Sequence, residues 1–279
     1  MLKDYIQLIR ADKPIGTLLL LWPTLWSLFI ADHGFPPLYA IIVFGLGVFL
    51  TRSAGCAIND VLDADFDKHV ERTKNRPITS GRISKKQGLI TCVILSLGAF
   101  ILAYFSLSTA TLLWCVPALV IFVTYPLMKR FFPLPQAYLG VAFSVGILMG
   151  FVELTGSISL LACLCFMANL FWVLGYDTIY ALVDKEDDLA IGIKTSAITM
   201  GKQVMKFISF CYILFILLQF IIGLLLHLGM AYYIGLGVAA ALLAYQIFTI
   251  RQNKSYFPMF LLNNWVGVSV FLGVIVSVV

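Results

Sequence analysis

The stretch Leu38–Asp67, LYAIIVFGLGVFLTRSAGCAINDVLDADFD, decides how the chain is read. From Leu38 to Ile58 it is an apolar run with one charge, Arg52, and is long enough for a hydrocarbon core that needs about 20 residues per helix. Asn59, Asp63 and Asp67 follow at i, i+4, i+8, so a helix continuing out of that run carries three oxygen ligands on one stripe. An apolar span ending in a line of carboxylates places polar chemistry at a membrane surface.

Working outward, similar apolar runs are predicted at Ile15–Ile30, Gly88–Leu107, Thr109–Leu127, Leu134–Val152, Ser157–Leu174, Met205–Leu226, Met230–Ile250 and Pro258–Val278. The expectation is an all-α integral membrane protein with about nine transmembrane helices in one bundle, a single domain over residues 1–279. Composition agrees: 61% of the 279 residues are hydrophobic and 12% charged, with mean hydropathy +0.98. That excludes a water-soluble globular enzyme, a disordered chain and a nucleic-acid binder. A kink or a frayed turn is expected at Pro23 in the first span. Asp4 and Asp12 precede that span and no small-residue cleavage site follows it, so the span is expected to be retained. The six cysteines form no CxxC pair and read as packing residues, and the scattered His33, His69 and His227 suit neither a zinc site nor a nucleophilic triad.

Every Lys and Arg except Arg52 lies before the first span or in the breaks after spans two, four, six and eight. Cytoplasmic loops retain positive charge, so the N-terminus is expected in the cytoplasm and both Asp-rich motifs at the cytoplasmic ends of helices 2 and 6. All acids except Asp32 and Glu153 lie on that side too. Most fall into two groups, Asp60, Asp63, Asp65, Asp67 and Glu71, then Asp177, Asp184, Glu186, Asp187 and Asp188. In the second group Asp177, Asp184 and Asp188 stand at i, i+7, i+11 and are expected on one stripe with Tyr180. Each stripe ends a helix, where the macrodipole is negative and further negative charge is disfavoured. Carboxylates and an Asn amide without thiolate or imidazole suit Mg²⁺ or Mn²⁺. Arg72, Lys74, Arg76, Lys129, Arg130 and Lys194 interleave with these acids, and a polyanion held between metal ions and cations, such as a diphosphate, accounts for both. Arg52, seven residues before Asn59, shares its face and is a functional-site candidate as an intramembrane charge.

Plainer readings compete. Asp60, Asp65, Glu71, Glu186 and Asp187 can equally be solvated connector residues, and Arg52 can snorkel to the interface. Membrane orientation alone explains Lys68, Lys85, Lys86, Lys202, Lys206, Arg251 and Lys254.

The segment Asn59–Asp67 resembles the NDxxDxxxD motif of the UbiA superfamily of intramembrane aromatic prenyltransferases, and Asp184-Lys185-Glu186-Asp187-Asp188 resembles its second, DxxxD motif. Tyr125-Pro126-Leu127-Met128-Lys129-Arg130 lies between them. Arg10-Ala11-Asp12-Lys13-Pro14-Ile15-Gly16, Tyr176–Ala181 and Gly192-Ile193-Lys194-Thr195-Ser196 look most like the members that prenylate 4-hydroxybenzoate in ubiquinone synthesis, although relatives acting on homogentisate, naphthoate, haem or chlorophyll precursors share the Asp motifs. The resemblance implies that Asn59, Asp63, Asp67, Asp184 and Asp188, with Asp177, hold Mg²⁺ against the diphosphate of a polyprenyl diphosphate. It implies that Arg72, Lys129, Arg130 and Lys194 grip its oxygens. Arg10, Arg52 and Arg130 are candidates for the benzoate carboxylate, and Tyr125 and Tyr180 for orienting the acceptor. It further implies a multi-pass protein of the bacterial cytoplasmic membrane, with no nucleic-acid partner; no obligate protein partner is readable.

Two non-enzyme classes stay in view. A transporter predicts ionisable groups at mid-membrane on broken helices and often an inverted repeat, whereas these acids cluster at one face. A prenyl-lipid binding protein differs only in lacking turnover.

Overall fold

The computed structural model describes every residue except Lys254, so that cation of the orientation argument lies outside the described residues. The helices are α1 (Leu2–Leu8), α2 (Ile15–Asp32), α3 (Leu38–Asp67), α4 (Lys85–Ser106), α5 (Thr109–Met128), α6 (Pro135–Thr155), α7 (Leu160–Val183), α8 (Lys185–Ala190), α9 (Ser196–Thr199), α10 (Val204–Leu225), α11 (Met230–Asn253), α12 (Tyr256–Leu261) and α13 (Asn263–Val278). Among the described residues there is no strand, and nine segments are long and apolar enough to cross a membrane: α2 to α7, α10, α11, and α12 with α13.

The first span is one helix with Pro23 inside it, the Thr24 hydroxyl donating to the Leu20 carbonyl at 2.8 Å in the adjoining turn. Two elements differ from the expectation. The last span is broken at Leu262, because the Asn263 amide donates to the carbonyls of Met259 and Phe260 and so competes with the backbone ladder. The second acidic stripe is not one helix: α7 stops at Val183, Asp184 takes φ −101 and ψ 9, and a new short helix starts at Lys185. In contrast α3 is continuous for 30 residues, about 45 Å at 1.5 Å per residue. Its last turns project beyond an ordinary hydrocarbon core and carry Asn59, Asp63 and Asp67 out of it.

Neighbouring helices close a ring in the order α3, α2, α13, α11, α10, α7, α6, α5, α4, and α2 also meets α6 across the middle. The crossing divides the bundle. On one side α2, α13, α11, α10, α7 and α6 pack solidly around Trp26, Trp172 and Phe215, whose rings lie 5.5–6.4 Å apart. Lipid offers apolar side chains as good a home as protein does, so close approach and interhelical hydrogen bonds hold this half together. Gly235 lets α11 reach the Ser269 carbonyl on α13, which a Cβ would meet at 2.4 Å. Trp172 Nε1 donates to Asn263 Oδ1 at 3.0 Å and the Tyr212 hydroxyl to Gln246 at 2.9 Å. On the other side α2 to α6 enclose a cavity of about 2060 Å³, and the chain neighbours α4 and α5 scarcely touch. Helix α1 and the connections after α3, α5 and α7 gather on one face, which carries the basic residues.

Candidate functional site

The projecting end of α3 meets the break after α7 on that basic face. Asn59, Asp63, Asp67, Asp177, Asp184 and Asp188 all line one polar pocket of about 180 Å³. The second set therefore converges with the first despite the broken helix. The turn at Asp184 folds α8 back toward α3, with Asp187 accepting the Glu71 amide at 3.1 Å. Arg72, Tyr125, Lys129, Tyr180 and Lys194 line the same pocket.

The carboxylates there are matched by cations. Lys129 Nζ pairs with Asp63, Arg72 Nε donates to Asp184 at 2.9 Å, and Arg76 Nη1 reaches Asp67 at 2.7 Å. Arg72 also lies over the Tyr180 ring, 4.8 Å from its centre. Burial opposes its charge, but Tyr180 and the Asp184 hydrogen bond hold its pKa above the ordinary arginine value. Among the described residues Asp188 has no such close partner. Desolvation, then the Asp184 charge, push its carboxyl up to about 6, against the pull of Lys129 and Arg72.

Among the described residues no three carboxylate, His or Cys side chains already converge as a metal cage. The donor set nevertheless fits a hard cation: it is all oxygen, and the buried Asp63 Oδ1 has no hydrogen-bond partner. Mg²⁺ needs only one or two carboxylates when water and phosphate complete its shell.

The remaining candidates are distributed differently. Arg130 lines neither chamber; its guanidinium sits 5.4 Å over the Phe66 ring and donates to the Leu62 carbonyl at 3.3 Å. Lys194 spends its amine on the Phe131 carbonyl at 2.9 Å. Arg10 is tied to Asp60 at 2.7 Å. Arg52 faces the large cavity, which Asp177 also lines, and makes no ion pair among the described residues. Its guanidinium lies 5.7 Å from the Phe143 ring centre against Gly16, and among the described residues its buried Nε has no acceptor.

For two residues the sequence gives less than their place in the structure: Arg76 reads only as one of several interleaved cations, and Asp60 only as a member of the first acidic group. Arg76 lines both chambers and bridges Asp60 and Asp67, yet it lies in an irregular segment where no helical spacing points to it. Asp60 is fully buried, not a solvated connector. Asp65, by contrast, is exposed beside Lys68 and Lys85, as a connector residue should be.

The polar pocket adjoins the large cavity, and Asn59, Arg72, Arg76, Tyr125, Asp177, Tyr180 and Asp184 line both. Below these residues the lining turns apolar through Val48, Phe44, Leu97, Phe100, Cys115 and Met149. At the junction stands an aromatic cluster. Phe260, brought in by the broken last helix, is 4.7 Å from Tyr180 and 5.9 Å from Tyr176, centre to centre. Cavities for small ligands usually hold about 300–1,000 Å³, so this one suits a long apolar chain with a charged end.

Comparison with known proteins agrees with this geometry. A model of the UbiA prenyltransferase family matches residues 20–273. The 4-hydroxybenzoate octaprenyltransferase of Cupriavidus pinatubonensis is 48% identical over 275 residues, covering 98% of this chain and 96% of the relative. The apo structure of a UbiA homolog from Aeropyrum pernix K1 superposes with TM-score 0.84 at 25% identity, over 95% of this chain and 98% of that one. A UbiA homolog from Archaeoglobus fulgidus bound to GPP and Mg²⁺ shares the fold, with TM-score 0.72 at 18% identity over 99% of both chains. With its carboxylate-lined pocket set over an apolar cavity, the chain belongs to the UbiA prenyltransferase family and is a multi-pass membrane prenyltransferase.

Proposed function

We propose that the chain, acting as one domain over residues 1–279, transfers a polyprenyl group from polyprenyl diphosphate to 4-hydroxybenzoate, ortho to the hydroxyl, with Mg²⁺, as a step of ubiquinone biosynthesis. The observation that carries this reading is the adjacency of the cation- and carboxylate-lined pocket to the apolar cavity, with lining residues in common, which matches a diphosphate head and an isoprenoid tail. The acceptor rests on the name of the 48%-identical relative, 4-hydroxybenzoate octaprenyltransferase, and on Arg52, a cation in the cavity wall that makes no ion pair among the described residues. The positive-inside rule places the basic face in the cytoplasm, and the bacterial relative favours the cytoplasmic (inner) membrane.

Asn59, Asp63, Asp67, Asp184 and Asp188, with Asp177, would hold Mg²⁺, which would supply positive charge to offset that of the departing diphosphate. Lys129 and Arg72 exchange Asp63 and Asp184 for diphosphate oxygens, and Arg76 adds a third cation. The allylic C–O bond breaks with its electron pair going to diphosphate. The faces of Tyr125, Tyr176, Tyr180 and Phe260 stabilise the allylic cation. Arg52 pairs with the benzoate carboxylate, and the electron-rich ring attacks the cation through the carbon beside its hydroxyl; that ring carbon then gives up its hydrogen as a proton to the released diphosphate. The apolar walls keep out water, which would divert the cation to an alcohol. The loose α4–α5 seam gives the isoprenoid tail a route to lipid.

The test is turnover by purified full-length protein in detergent, with octaprenyl diphosphate and labelled 4-hydroxybenzoate, with and without Mg²⁺. The reading expects 3-prenyl-4-hydroxybenzoate, identified by mass, only with metal. Diphosphate release without ring prenylation would overturn the acceptor, and neither product from folded protein would overturn the enzyme assignment.

A further inference from the structure

Asp60 belongs to the first acidic motif but not to its stripe. It is one residue past Asn59, rotated about 100° around α3, and it lines the large cavity and not the polar pocket. Its side chain is 1% exposed, and a carboxylate so buried persists only if it is paired. Both its oxygens accept from Arg10 Nη2, at 2.7 and 3.0 Å, and Oδ1 lies 3.2 Å from Arg76 Nη1. The same Arg76 nitrogen is 2.7 Å from Asp67.

Arg10 reaches this position at a conformational cost. Its φ is +58°, a region that non-glycine residues rarely occupy, and Nη1 turns back to the Gln7 carbonyl at 2.7 Å. The segment before it is fastened separately: Leu8 is fully buried against α3, and Arg82 holds Asp4 at 3.1 Å and Gln7 at 3.2 Å. Arg10 is thus aimed at Asp60 by a strained but well-anchored backbone.

We propose that Asp60 is not a metal ligand but a positioning residue. It fixes Arg76 at the boundary between pocket and cavity and fixes Arg10 across the mouth, so that both guanidinium groups present their free N–H donors to the diphosphate. When Asp67 turns to a metal ion, Asp60 is the anchor that keeps Arg76 in place. This role rests on the prenyl diphosphate reading.

Two binding measurements on the full chain in detergent test it: Mn²⁺ binding by electron paramagnetic resonance without substrate, and calorimetric binding of geranyl thiolodiphosphate, a non-reactive analogue, with Mg²⁺. For Asp60→Asn the expected result is thiolodiphosphate binding weakened on the order of tenfold to a hundredfold, the range for losing a positioning partner, with Mn²⁺ affinity and spectrum as in the wild type. Asp63→Asn is the contrasting control and loses Mn²⁺. Should Asp60→Asn fail to fold, Asp60→Asn with Arg10→Gln keeps the buried charge balanced and is expected to show the same split. A parallel loss of Mn²⁺ would make Asp60 a ligand and overturn the proposal, as would thiolodiphosphate binding equal to wild type. Absence of binding by the wild-type chain would instead overturn the prenyl diphosphate reading and this role with it.

Discussion

Gly16, in the first turn of α2, is the floor on which the Arg52 guanidinium rests. A methyl group there would stand 2.6 Å from Nη2 and 2.8 Å from Nε, where ordinary contact begins at 3.4 Å, so in Gly16→Ala the guanidinium retreats by about 0.8 Å. The Phe143 ring confines the retreat. A misplacement near 1 Å costs up to about a hundredfold in rate, or about 2.7 kcal/mol of transition-state stabilisation. We therefore predict that kcat/KM for 4-hydroxybenzoate falls roughly ten- to a hundredfold in Gly16→Ala, while KM for prenyl diphosphate stays put. Thermal stability should not drop, because Ala is favoured over Gly inside a helix by about 1 kcal/mol. Steady-state kinetics with each substrate varied in turn reads the split. An unchanged acceptor kcat/KM in Gly16→Ala, beside an inactive Arg52→Ala, would refute a fixed guanidinium as the carboxylate site.

Other expectations follow from the same geometry. The Asp188 carboxyl, raised from 3.8 to about 6, favours the metal-free fold in its protonated form. That contribution is fully present below pH 3.8 and lost as pH rises through 6. Metal needs the carboxylate, so the Mg²⁺ concentration for half-maximal thermal stabilisation should rise as pH falls below about 6. Asp188→Asn should remove that pH dependence, and a flat wild-type profile would contradict the assignment. Gly47 faces open cavity, with nothing within 4 Å of a would-be Cβ, and lies about 18 Å along α3 from Asn59. Gly47→Phe should impair octaprenyl diphosphate far more than geranyl diphosphate; equal effects would mean that the tail leaves the cavity above Gly47. Asn263→Ala strips Trp172 Nε1 of its acceptor and should lower unfolding free energy in detergent by about 1–2 kcal/mol, checked by thermal or denaturant melts.

The helical membrane fold was legible because hydropathy runs of bilayer length leave little choice once backbone groups must bond within each segment. Breaks were less so. The Asn263 interruption depends on a side chain competing for local carbonyls, and nothing in the periodicity of residues 258–278 announces it. Spacing placed Asn59, Asp63 and Asp67 correctly because α3 continues as a helix, whereas Asp184 and Asp188 reach the same pocket by a turn that i+7 and i+11 reasoning does not describe. The role of Asp60 was hidden since it depends on Arg10, 50 residues away, and on Arg76 in an irregular loop. Charge alternation revealed that cations face these carboxylates but not their pairing, which is set by tertiary contact. For that reason Arg52, Arg10 and Arg130 were equivalent in sequence and are not in space.

The central question is whether the two carboxylate sets, brought together at one pocket, drive loss of diphosphate in favour of ring alkylation. The most direct measurement is a single-turnover assay of octaprenyl diphosphate and 4-hydroxybenzoate, following diphosphate and prenylated ring together in wild type, Asp63→Ala and Asp184→Ala, with folding of each checked by thermal melt. The prediction is that the two products appear in equal amounts in the wild type and that both disappear in each folded variant. Prenylated ring persisting in either variant would contradict it.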